Sequence, residues 1–176
     1  TDLKVDYYSA ANGLTELFVK ETMDEDKKIT RNYINDKGQT ILVRKYAVNG
    51  TTILTQTYYV YDDMDKLRFT IQPEGMEKIT IIPQTLNNTI KDYCFEYNYD
   101  SRGRLISKKI PGGGRTELAY DRWDRPAISQ DANQRAKSPQ EFTYTKYDMQ
   151  NRPIMTGTFT ATNRTLTIDA VRTELL

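Results

Sequence analysis

Carboxylates crowded onto short segments are the side chains of this sequence best placed to do chemistry. Asp62, Asp63 and Asp65 form one group and Asp24, Glu25 and Asp26 another, and hard oxygen ligands of this kind suit Ca²⁺. A calcium loop needs roughly five or more oxygens at ordered spacing, which neither group supplies alone, so both read as turns. Two carboxylates could also cleave a glycoside, but nothing in the spacing sets a pair opposite one another across a sugar. Histidine is absent, which removes Ser-His-Asp and Cys-His activation, imidazole general bases and the usual zinc ligands. The single cysteine, Cys94, has no partner for an intramolecular disulfide, and between Tyr93 and Phe95 it reads as a buried structural thiol. Gly112-Gly113-Gly114-Arg115 lacks the Lys-Ser or Lys-Thr of a phosphate-cradling loop and follows a strand with no helix after it, so it reads as a tight turn. No catalytic residue, metal ligand or cofactor is expected.

The tyrosines remain. There are 13 of them against 5 Phe and 1 Trp, a bias that suits half-buried sheet faces where the ring packs and the hydroxyl reaches a polar partner. Tyr59, Tyr61, Tyr97, Tyr99, Tyr120 and Tyr147 are candidates for a glycan-stacking platform. A ladder of rings within a stacked sheet accounts for the same spacing.

These residues must be positioned by something repetitive. A Tyr-Asp pair followed by a polar segment and then Arg or Lys with Leu or Pro recurs at Tyr61–Leu67, Tyr99–Leu105, Tyr120–Pro126 and Tyr147–Pro153, with a degenerate copy at Asn35–Gln39. One column of the repeat holds Asn35, Asp62, Asp100, Asp121 and Asp148, whose short side chains bond nearby backbone and open type I turns. Three residues later stand Gly38, Asp65, Gly103, Asp124 and Asn151, the types that tolerate positive φ. Together the two columns describe a β-hairpin turn closed by a left-handed residue, with a bulge there. Asp62, Asp65, Asp100, Gly103, Asp121, Asp124, Asp148 and Asn151 are therefore assigned structural roles.

The expected fold is all-β and mostly antiparallel, built from repeated hairpins, with one short helix or irregular loop around 84–91 in an insertion. Residues 1–57 form an N-terminal β segment in which Leu14–Glu21 and Ile29–Tyr33 pair across the Asp24–Lys27 turn. Residues 58–160 hold the hairpins, interrupted near 76–92 and by a polar surface loop at 132–140. Pro73-Glu74-Gly75 and Pro111-Gly112-Gly113 read as turns, and residues 161–176 as a strand or tail. The whole is expected to be one continuous unit.

Lys and Arg total 25 and Asp and Glu 24, so there is no bulk field to hold nucleic acid. No apolar run approaches the ~20 residues of a membrane-spanning helix, and the start shows no basic and apolar leader. The absence of an initiator Met suggests a piece of a longer product, so the missing leader says little about the parent's destination.

The Tyr-Asp…Gly-Arg-Leu motif, cleanest over Tyr97–Pro111, resembles the repeats of Rhs and teneurin-type (YD-repeat) proteins, and the order of segments over about residues 15–160 resembles the Bacteroidetes version. That resemblance implies a β-ribbon wound into a hollow shell, enclosing a C-terminal toxin in bacterial members and supporting adhesion in animal ones. It implies a secreted or cell-surface location, the remainder of a longer parent chain as partner, and no catalytic residue. A surface module binding glycans through the tyrosine face is the alternative expectation. Unprotected strand edges add the expectation of self-association.

Overall fold

The computed structural model describes residues 3–6, 17–78, 92–161 and 167–175. The chain divides into two units, Thr1–Phe95 and Glu96–Leu176.

In the first unit β1 (Leu3–Asp6), β2 (Leu17–Met23), β3 (Ile29–Ile34), β4 (Thr40–Tyr46), β5 (Ile53–Tyr61) and β6 (Leu67–Ile71) pair antiparallel in chain order. Direct partners place Val19, Tyr33, Leu42 and Tyr58 in one row across four strands, since side chains of directly opposed residues share a face. Leu17, Val19, Tyr33 and Leu42 are buried there against Ile41 and Tyr58. A second cluster joins Ile71, Met76 and Cys94 with Tyr58, Val60 and Phe69. The thiol is buried, as its apolar neighbours indicate.

The stretch read as a Pro-Glu-Gly turn instead begins a short helix, α1 (Pro73–Glu77). Proline at the first helical position supplies the right φ and lacks only an N–H that would be unpaired anyway. Gly75 lies where the helix crosses its neighbours: an added Cβ would stand 3.0 Å from Ile71 Cγ2 and 3.1 Å from Tyr93 Cβ. The helix or loop expected around 84–91 lies outside the described residues.

The second unit takes up β7 (Cys94–Tyr99) from Glu96 onward, and β7, β8 (Leu105–Lys109), β9 (Arg115–Tyr120), β10 (Pro126–Gln130), β11 (Glu141–Tyr147) and β12 (Pro153–Thr160) again pair antiparallel in chain order. The polar insertion at 132–140 is not wholly loop, because Ala132–Ala136 forms helix α2. Its start is a capping box in which the Asp131 side chain accepts from the Gln134 N–H at 2.7 Å and the Gln134 side chain accepts from the Asp131 N–H at 3.0 Å. The end of the chain, expected as strand or tail, is also helical: α3 spans Ile168–Leu175. Ile168 and Val171, three apart and so on one helix face, join Ala119 and Phe142 in a buried cluster flanked by Ile128, Phe159 and Ala161. Burying an aliphatic or aromatic side chain of this kind contributes roughly 1.5–3 kcal/mol.

Candidate functional site

The chemically dense part of each unit is its series of hairpin turns. At the turn between β7 and β8 the Asp100 N–H donates to the Arg104 carbonyl at 3.0 Å and the Gly103 N–H donates to the Asp100 carbonyl at 2.9 Å. Asp100 Oδ1 accepts the N–H groups of Arg102 and Arg104 at 3.0 and 2.9 Å. Its second oxygen accepts Arg104 Nε at 2.7 Å. Asp121 and Asp148 repeat the pattern, taking Arg125 Nε at 2.8 Å and Arg152 Nε at 2.7 Å. Asp62 holds the N–H groups of Met64 and Lys66 at 3.0 and 2.9 Å, with Arg68 at 3.5 Å from its other oxygen. Asn35 makes the same turn, its Oδ1 accepting from Lys37 and Gln39, while its Nδ2 donates to Gln39 Oε1 at 2.8 Å. An amide pair thus stands where other turns have carboxylate and guanidinium.

The five positions expected to close these turns are all left-handed in the fold: φ is 78° at Gly38, 61° at Asp65, 76° at Gly103, 63° at Asp124 and 61° at Asn151. A register shift next to each of these five turns, at Tyr33/Ile34, Val60/Tyr61, Asn98/Tyr99, Pro126/Ile128 and Lys146/Tyr147, marks the expected bulge. One further turn of this type is less legible. Asp24 accepts the Lys28 N–H on Oδ1 at 2.8 Å and Lys27 takes φ 60°. The turn itself was expected at Asp24–Lys27, but lysine gave no sign that its last position is left-handed.

The electrostatics follow from this bonding. The Lys66 N–H bonded to Asp62, and the Arg152 N–H bonded to Asp148, hold those carboxyls below the usual carboxylate range. For Asp100 and Asp121 burial pushes the other way, but the bonds from Arg104 and Arg125 outweigh it and both are lowered. These acids stay ionised and acceptor-only at neutral pH, the wrong state for proton donation.

Adjacent turns are tied to one another. Tyr61 Oη donates to the Thr40 carbonyl at 3.2 Å, Tyr120 Oη to Leu105 at 2.8 Å and Tyr147 Oη to Pro126 at 2.9 Å. In each case the acceptor lies two residues beyond the left-handed position of the preceding turn. The arginine of that preceding turn covers the ring: Arg104 lies 4.8 Å from the Tyr120 centroid and Arg125 4.8 Å from that of Tyr147, within cation–π range. The same guanidiniums reach forward, Arg104 to Asp124 Oδ1 at 2.6 Å and Arg125 to Asn151 Oδ1 at 3.1 Å. Arg102 adds a bond to Asp124 at 2.7 Å and Lys37 one to Asp65 at 2.6 Å. Asp62 and Asp65, weighed as calcium ligands, are therefore engaged in a turn and an inter-turn bridge, and no metal-holding group of three or more ligands occurs among the described residues.

The tyrosines weighed as a glycan platform occupy different settings. Tyr120 and Tyr147 are covered by guanidinium, Tyr97 has Lys108 Nζ at 5.8 Å from its ring, and Tyr99 sits at the β7 bulge. Tyr59 and Tyr61 line an open groove of about 340 Å³ with Asn35, Asp36, Lys37 and Gln39. Sequence reasoning missed a second polar cluster, in which the Tyr33 and Tyr46 hydroxyls meet at 3.0 Å. Arg31 lies over Tyr46 at 4.6 Å and bonds Glu21 at 2.7 Å. Burial, reinforced by Tyr46, pushes the Tyr33 phenol up to about 12, so it is neutral at ordinary pH. It also missed Arg135, which α2 delivers to Glu117 at 2.6 Å.

A chain whose marked residues build turns and tie each turn to the next is a structural repeat protein. Residues 99–136 match the family model described as RHS Repeat. Solved structures with the same fold include the TcdB2-TccC3-Cdc42 crystal structure, with TM-score 0.57, 16% identity, and coverage of 83% of this chain and 8% of that one. The TcdB2-TccC3-TEV crystal structure gives 0.55, 17%, 83% and 8%. The Tc holotoxin pore of Photorhabdus luminescens, carrying a TccC3 mutation, gives 0.54, 16%, 81% and 6%. The chain thus spans 8% or less of those chains. No curated protein matches.

Proposed function

We propose that this chain is a non-catalytic stretch of wall in a larger, exported Rhs protein, and that the wall encloses a C-terminal toxin or effector of the same parent. The turn ladder carries the reading. Tyr61, Tyr120 and Tyr147 place their hydroxyls on a preceding hairpin and Arg104 and Arg125 reach a following turn, so these residues of the motif are occupied in joining hairpins. A reaction would need them free. Neighbours of the same fold are named as parts of toxin complexes, which supports a cargo for the wall and a destination outside the producing cell.

Limited proteolysis of the parent protein tests the enclosure. The region C-terminal to the repeats should survive protease in the wild type and become sensitive when Arg104 and Arg125 are both changed to Ala. Equal digestion of that region in the two proteins would remove the enclosing role.

A further inference from the structure

The turn ladder is complete at Tyr120 and Tyr147 and incomplete at Tyr61. In the second unit Arg104 and Arg125, four residues after Asp100 and Asp121, each cover the next tyrosine with a guanidinium at 4.8 Å. At the equivalent place before Tyr61 stands Gln39, which reaches Asp65 Oδ1 at 3.3 Å. Glutamine is too short to do both, and no cation covers the Tyr61 ring among the described residues. The space the guanidinium would fill is part of the open groove of about 340 Å³, lined by Ile41, Tyr59 and Tyr61 as well as the two turns.

The rim of that groove is charged in one sense. Asp36, Asp62, Asp63 and Asp65 line it with one cation, Lys37, which is already bound to Asp65, while Asp62 is also within 3.5 Å of Arg68. Asp36 and Asp63 make no ion pair among the described residues. Aromatic surface below and carboxylates around are the surroundings that Arg104 and Arg125 find within the same chain.

We propose that this groove takes an arginine side chain supplied by a partner protein, the guanidinium lying on Tyr61 as Arg104 lies on Tyr120. Lysine carries the same charge but lacks the planar group that stacks and forks toward carboxylate. The inference does not depend on the enclosing role of the wall.

N-acetyl-arginine amide titrated into the full chain, followed by the NMR ring signals of Tyr59 and Tyr61, tests it. Saturable shifts confined to that groove are expected, with N-acetyl-citrulline amide, a neutral isostere, binding about tenfold more weakly or worse. Gln39→Arg should fill the site from within the chain and abolish the shifts. Because Asn35→Asp with Gln39→Arg rebuilds the pairing seen at Asp100 and Arg104, that double variant keeps the test valid if the single one misfolds. Equal binding of citrulline, unchanged binding by the variants, or absence of saturation would each overturn the proposal. Saturation of Tyr59 and Tyr61 by maltohexaose but not by the arginine amide would also overturn it, in favour of a glycan site.

Discussion

At Gly103 the backbone is held at φ 76°, a region that costs an ordinary L residue energy and a β-branched one more. Gly103→Val should lower stability by about 1–3 kcal/mol, read from the urea midpoint, while Gly103→Asn should be tolerated because Asn151 occupies the same conformation in another turn. If the valine variant unfolds with the parent, the left-handed turn is not what the position requires. The turn aspartates predict a pH dependence. Asp62, Asp100, Asp121 and Asp148 have carboxyls lowered in the fold, so their stabilisation is present above the unfolded value near ~3.9 and is lost as pH falls through the lower folded value. With no histidine to titrate between, the urea midpoint should stay level from pH 7 to 5 and drop below about pH 4. Asp100→Asn with Asp121→Asn should flatten that drop, since the amide keeps the turn, as Asn35 does, without the ionisation. The roles of these residues were legible in the sequence because they are local: turn opener and left-handed closer stand three residues apart in every copy. At Lys27 the turn was legible but the positive φ was not, because lysine rarely takes it and is held there by the bonds of its own turn.

Among elements, strands and hairpins were readable and helices were not. β6 and β8 emerge as equal five-residue strands running from one turn to the next, as the period-two pattern and flanking turns require. α1 and α2 are each one short turn or so, below the length at which helical periodicity shows, and only the Asp131–Gln134 box announced α2. Helix α3 was obscured by the threonines before it. What secures α3 is tertiary: Ile168 and Val171 enter the sheet core, and Arg172 donates to the Leu118 carbonyl at 2.9 Å and the Ile106 carbonyl at 2.6 Å. Ile168→Ala should cost about 2–4 kcal/mol through the cavity it leaves. Arg172→Met should cost less, about 1–2 kcal/mol, through lost bonds to carbonyls. Protease cleavage near the C-terminus, measured against global unfolding in urea, should rise in both. Cleavage unchanged in Ile168→Ala would mean that α3 is not anchored by that contact.

For the molecule as a whole, an array of hairpins that grows strand by strand has ends. In the second unit β12 pairs with β11 on one side, and it presents Ile154 at 66% and Met155 at 51% exposure. An outer strand with exposed apolar side chains is a template for another chain. Sedimentation of the isolated chain should therefore shift with concentration, and Ile154→Lys should suppress the shift. Concentration-independent sedimentation of the wild type would show that this edge is protected. From the amino-acid sequence alone came the repeat, the turn chemistry, the antiparallel hairpins and the absence of histidine-based catalysis, all set by residue type and short spacing. Tertiary structure alone decided the two-unit division, the helix that closes the second core, and the linkage of tyrosine and arginine between successive turns. Those depend on which residues the strand register brings together across tens of positions, and no local pattern encodes that distance. Register is also what leaves Tyr61 beside Gln39 while Tyr120 and Tyr147 lie beneath arginine, so the aspartates of the Tyr-Asp motif build the turns and their neighbours determine where a partner can enter.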